Sequence, residues 1–196
     1  MFVYIHGASA TSESFTHIRQ FVRDRYPEPE ILIDYSSKNS FADNLQSMKE
    51  QLRHVDRLFF ISHSLGGIYS LYLADCYRDK TRGGVSLSTP YGGSKEADIA
   101  RYFLPFNRLM RDIGANRGAI YDSRHIQAPP NWCNVVTTAG ASPWIAEPND
   151  GVVTLESMRF RKDFELEEVN LNHYEVVISN TVVDLLLTKI AKAYII

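Results

Sequence analysis

Residues 58–67 read Leu-Phe-Phe-Ile-Ser-His-Ser-Leu-Gly-Gly, and this stretch decides the fold. Leu58 to Ile61 form an apolar run too short for a helix, so they read as a strand buried on both faces. Small residues follow at Ser62, Ser64, Gly66 and Gly67. Leu65 to Arg78 is then apolar around most of its circumference, as a helix packed on the middle of a sheet must be. A serine on such a strand-to-helix turn stands exposed above the sheet edge, over a helix N-terminus that favours developing negative charge, the arrangement of a nucleophile elbow. The turn presses the positions two before and two after Ser64 against neighbouring backbone. Ser62 and Gly66 are small enough, although the first is glycine in the commonest form of the motif. Serine is also a common N-cap, and the segment by itself leaves that simpler use open for Ser62 or Ser64.

Outward from this stretch, short apolar runs alternate with segments of helical period, the pattern of parallel β-α-β units in a sheet covered on both faces. Strands are predicted over Phe2 to His6, Glu30 to Tyr35, Arg57 to Ser62, Gly84 to Ser88, Asn134 to Ala139 and Phe164 to Val169. Helices are predicted over Ser14 to Arg25, Phe41 to Val55, Leu65 to Arg78 and Thr181 to Tyr194. Residues 95–130 break the rhythm: they exceed a single crossover and contain Pro105, Gly114, Gly118 and Pro129-Pro130. An apolar stripe from Ile99 through Phe103, Phe106, Leu109 and Met110 to Ile113, split by Pro105, suits two short helices. An ordinary covering helix with a long return loop and a lid over a site are both open for this insertion.

The chain of 196 residues is 44% hydrophobic, which fits one domain with a core of its own. Lys plus Arg number 21 against 23 for Asp plus Glu, giving a formal charge of −2, so no broad positive field is present to attract nucleic acid or an anionic membrane. No run approaches transmembrane length. Cys76 and Cys133 read as small buried apolar residues, with a disulfide between them left open. Phe2 to Ile5 already resembles a core strand rather than a leader, so a soluble protein in the reducing cytoplasm is expected.

Taken in order, His6-Gly7, Ser62-His63-Ser64-Leu65-Gly66-Gly67, Ser88-Thr89-Pro90-Tyr91-Gly92-Gly93-Ser94 and Asn149-Asp150-Gly151-Val152-Val153 resemble the motifs of the lipase and esterase branch of the α/β-hydrolase superfamily, especially very small bacterial lipases. The similarity covers most of the chain and is weakest across 95–130. It implies a minimal α/β-hydrolase fold of about six mostly parallel strands, helices on both faces and a helical insertion before the fifth strand. It also implies a carboxylic ester hydrolase using Ser64 as nucleophile, and an oxyanion hole made by the backbone N–H groups of Ala8 and Leu65.

The family's chain order is nucleophile, acid, base, and Asp150 and His173 follow the fifth and sixth predicted strands in that order. Asp122 falls in the insertion, Asp163 precedes the last strand, and Glu147 is close enough to substitute. Asp150 in Asn149-Asp150-Gly151 is otherwise an ordinary turn aspartate. His17 and His54 lie on predicted helices, His63 adjoins the nucleophile with its side chain directed elsewhere, and His125 precedes the acid. His6 is read as holding the loop after its strand, and His173 without the triad would be a capping or solvent histidine. Phe103, Phe106, Met110 and Trp144 are candidates for an apolar acyl site, so the expected partner is a small acyl ester or lipid-like molecule. Neither metal nor organic cofactor is required. The same triad serves thioesterases and acyltransferases, for which Arg101, Arg108, Arg111, Arg117 and Arg124 would be a basic approach; a non-catalytic binding protein of the same fold is a further alternative.

Overall fold

The computed structural model describes residues 1–93, 109, 118–143 and 145–195. The elements begin with strand β1 (Phe2–Ile5), a 3-10 turn (Ser12–Phe15), helix α1 (Thr16–Arg25), β2 (Glu30–Ile33), α2 (Phe41–Leu52), β3 (Leu58–His63), α3 (Leu65–Cys76) and β4 (Thr81–Leu87). They continue with α4 (Ala119–Ser123), β5 (Trp132–Thr137), α5 (Leu155–Met158), β6 (Glu165–Val169), a 3-10 turn (Glu175–Val177) and α6 (Asn180–Ile195). The strands lie in the order β2-β1-β3-β4-β5-β6, every pairing parallel.

Because side chains alternate across a strand, a sheet covered on both sides needs apolar residues at every position. Val3, Ile5, Leu58 and Phe60 point into one core with Phe41, Met48 and Leu52 of α2 and Ile68 and Leu71 of α3. Phe2, Tyr4, Phe59 and Ile61 point into the other, with Ile18 and Val22 of α1 and Val182, Leu186 and Ile190 of α6. Helix α3 is apolar almost all round because it lies inside the first core, between β1, β3 and β4 on one side and α2 and the helix at Ala119–Ser123 on others. At the start of α2, by contrast, the Ser40 side chain accepts from Asp43 N–H and fixes a conventional amphipathic helix.

Two strands begin earlier than the sequence reading placed them. Strand β4 starts at Thr81 and β5 at Trp132. A Cβ at Gly84 would lie 2.5 Å from the Trp132 indole, so the glycine in this strand makes room for a ring on the adjacent one. Cys76 is a second correction: it is exposed at the end of α3, Cys133 is buried in β5, and both thiols are free. Of the insertion, the structure describes Leu109, buried in the α3-side core, and residues 118–130, which include α4. The two expected short helices, and with them the lid reading, lie outside the described residues. Among the described residues no helix is long and apolar enough to cross a membrane.

Candidate active site

The parallel sheet delivers Ser64, Asp150 and His173 to its carboxyl edge, from the connections after β3, β5 and β6. Ser64 has φ 52 and ψ −124, a backbone conformation that side-chain-bearing residues avoid at a cost of about 1–3 kcal/mol. The surroundings impose it. Ser64 N–H donates to Leu87 C=O at 2.8 Å, and the Ser64 carbonyl accepts from Gly67 N–H and the Thr89 hydroxyl, both at 3.0 Å. A Cβ at Gly66 would stand 2.1 Å from the Ile5 carbonyl oxygen, so α3 can start here only with glycine. The Ser64 side chain makes no capping bond to the helix, which removes the N-cap explanation for this serine. It is also not exposed, contrary to the sequence reading: Ser64 is 5% accessible, and the loop after β1 runs so close to it that a Cβ at Gly7 would stand 3.2 Å from the Ser64 Cβ.

Asp150 and His173 form a buried pair. His173 Nδ1 donates to Asp150 Oδ2 at 2.8 Å, and His173 N–H donates to the Asp150 carbonyl at 3.0 Å. Asp150 is 0% and His173 1% accessible. The other carboxylate oxygen, Oδ1, accepts from Val152 N–H at 3.0 Å and Val153 N–H at 2.7 Å. Burial works against the Asp150 charge, but hydrogen bonds from His173, Thr137 and Val153 together outweigh it and hold the carboxyl below the usual range. Gly140, at φ +133, is required here: a Cβ would stand 2.3 Å from the Asp150 carbonyl carbon.

A hydroxyl relay stands behind the acid. Thr137 Oγ1 lies 2.5 Å from Asp150 Oδ2 and 2.9 Å from Ser88 Oγ. An ionised carboxylate only accepts, so Thr137 donates to it and Ser88 in turn donates to Thr137. Ser88 itself sits at φ 53. Neither residue was singled out in the sequence. The one available signal was that Ser88 opens the Ser-Thr-Pro-Tyr-Gly-Gly motif at the end of β4.

On the opposite flank, His6 anchors the loop that covers Ser64. Its Nδ1 donates to Gly7 C=O at 2.7 Å, its Nε2 accepts from Tyr35 N–H at 3.3 Å, and the Tyr35 ring stacks on it at 4.3 Å. Burial, against the opposing pull of the Gly7 carbonyl and Asp34, lowers the His6 pKa. Ala8 follows on that loop and Leu65 follows the nucleophile candidate, and among the described residues neither N–H donates to a backbone carbonyl. His63, beside Ser64 in the turn, directs its side chain to another segment. Its ring turns toward His173, with ring centroids 4.8 Å apart, and its Nε2 donates to the His173 carbonyl at 2.9 Å.

The rival residues are elsewhere. Asp163 is paired with Arg161 at 2.7 Å, and Asp122, His125 and Glu147 are exposed. Arg124 is held by the Gly92 carbonyl and lies over the Phe160 ring at 4.8 Å. Phe103, Phe106, Met110 and Trp144, like Arg101, Arg108, Arg111 and Arg117, lie outside the described residues. Among the described residues no group of three His, Cys, Asp or Glu side chains is disposed to hold a metal ion.

No protein-family model matches this sequence, and no curated protein matches it. Solved structures do match in shape. A mature lipase from Bacillus licheniformis superposes with a TM-score of 0.71 at 15% identity, covering 95% of this chain and 90% of that one. Tomato methylketone synthase I, solved with β-ketoheptanoate, gives 0.68 at 14% identity over 98% of both chains. The monoacylglycerol lipase of Paleococcus ferrophilus gives 0.64 at 14% identity, covering 96% of this chain and 94% of that one. With the six-stranded parallel sheet, these matches establish an α/β-hydrolase fold.

Proposed function

We propose that the chain is a serine hydrolase of carboxylic esters, with Ser64 as nucleophile, His173 as base and Asp150 as the group that orients the base. The observation carrying this reading is the buried 2.8 Å bond from His173 Nδ1 to Asp150, at the sheet edge where Ser64 is held in a strained turn. The bond assigns the tautomer: with the proton on Nδ1, the Nε2 lone pair is free to take the serine proton. Asp150, already ionised and saturated with donors, then stabilises the imidazolium without accepting its proton. The amides of Ala8 and Leu65 serve as donors to the tetrahedral oxyanion, and water releases the acyl group through the same base.

Esters are the favoured class because the Bacillus and Paleococcus proteins of the same fold are lipases. Phe103, Phe106, Met110 and Trp144 are retained as the acyl-binding candidates, and the partner as a small acyl ester or lipid-like molecule. A fluorophosphonate probe tests the assignment: it labels the wild type and leaves Ser64→Ala unlabelled, and Ser64→Ala loses roughly 10³-fold or more in turnover of p-nitrophenyl esters. Folded wild type that resists labelling, or a labelled Ser64→Ala variant, overturns it.

A further inference from the structure

His63 adjoins the nucleophile candidate in sequence, yet both its ring nitrogens lie among groups from other segments. Nε2 meets the His173 carbonyl at 2.9 Å. A backbone carbonyl only accepts, so this nitrogen carries the proton and the neutral ring leaves Nδ1 as a bare lone pair. Nδ1 is buried without a partner, and it is the atom closest to where a Cβ on Gly7 would be, at 2.9 Å. The ring is therefore a strut between two loops: the one after β1, carrying Gly7, and the one after β6, carrying His173. The residue as a whole is 5% accessible.

We propose that His63 is a positioning residue for the base: its Nε2–H clamps the His173 carbonyl, so that the turn presenting Ser64 also sets where the imidazole stands. This rests on the triad reading above and deepens it. His173 hangs from one helix-free loop after β6; among the described residues its side chain is tethered on the Nδ1 side by Asp150, whose carbonyl also accepts from the His173 N–H. A ring held at one end can still swing in the plane of that bond. A tether on its backbone carbonyl, coming from the residue beside the nucleophile and not from Asp150, fixes the distance that proton transfer needs. The two histidines must not both be charged when His173 becomes imidazolium 4.8 Å away. Burial above all, with His173 adding to it, keeps His63 neutral by lowering its pKa to about 3. Gly7 is then explained twice, by the approach of Ser64 and by the His63 ring beneath it.

The test compares three side chains. His63→Phe keeps the ring and removes the donor; His63→Gln returns an N–H near the position of Nε2; His63→Asn is polar but falls short of the carbonyl. On p-nitrophenyl butyrate, His63→Phe and His63→Asn should each lower kcat by roughly 10- to 100-fold with KM within about twofold, and His63→Gln should recover to within about threefold of wild type. The downfield proton resonance of His173 Nδ1–H, observable without substrate, should broaden in Phe and Asn and persist in Gln. If wild type fails to cleave esters, the function above fails while the proton resonance still reads the clamp. Wild-type kcat and resonance in folded Phe or Asn variants, or equal losses in Gln and Asn, would overturn the proposal.

Discussion

The connection after β3 and the connections after β5 and β6 arrive at the same sheet edge by different means. Ser64 is set by backbone: a carbonyl of β4, a helix that can start only with Gly66 against Ile5, and a φ of 52. Asp150 and His173 are set by side chains, through a bond to each other, two amides on one carboxylate oxygen, and a relay from Thr137 and Ser88 on the other. A site built from backbone tolerates no extra atom, whereas one built from side chains weakens with each donor it loses. His63 is the point where the two constructions touch.

That contrast can be broken most sharply at Asp150. Asp150→Asn nearly preserves shape but presents an amide that cannot hold the Nδ1 proton in place, so ester turnover should fall by roughly 10³- to 10⁴-fold while the fold survives. Wild-type turnover in the purified variant would mean that His173 is oriented by something else. The backbone side is probed by Gly66→Ala, whose methyl would meet the Ile5 carbonyl oxygen at 2.1 Å. Here stability should drop by roughly 3 kcal/mol or more in urea unfolding, with a loss below about 1 kcal/mol indicating that the elbow can shift to admit a methyl group.

The smallest effect belongs to Thr137→Val, which keeps volume and deletes one donor to Asp150. A carboxyl whose folded pKa is depressed adds stability that is complete above its unfolded value, and that stability is lost as pH falls through the folded value. Removing the Thr137 donor raises the folded pKa toward the ordinary value. Acid unfolding should therefore begin at a higher pH, and stability at neutral pH should fall by about 1 kcal/mol. Acid titration of both proteins, followed by circular dichroism, checks this, and superimposable curves would remove Thr137 from the relay.

Much of this was legible without coordinates, because it depends on local pattern. Unbroken apolar runs at Phe2 to Ile5 and Leu58 to Ile61 announce strands buried on two faces, and the small residues around Ser64 announce a turn under steric compression. Asp150 and His173 were legible only through strand order, since neither Asn-Asp-Gly nor Asn-His-Tyr has a local pattern that separates it from an ordinary turn. The predicted strand starts at Gly84 where β4 starts at Thr81, and the reason glycine occupies position 84, the Trp132 indole, sits on another strand.

What the sequence determined by itself is therefore the architecture and the strand-to-helix turn that holds Ser64, both consequences of periodicity and of backbone sterics within a few residues. Only the tertiary structure decided that Ser64 is covered, that Thr137 and Ser88, 49 residues apart, back the acid, and that His63 turns to the His173 carbonyl 110 residues away. A hydrogen bond across such separations leaves no periodic trace in the chain. It exists because a parallel sheet gathers the ends of distant strands along one edge, where their short polar side chains must find one another or remain buried and unpaired.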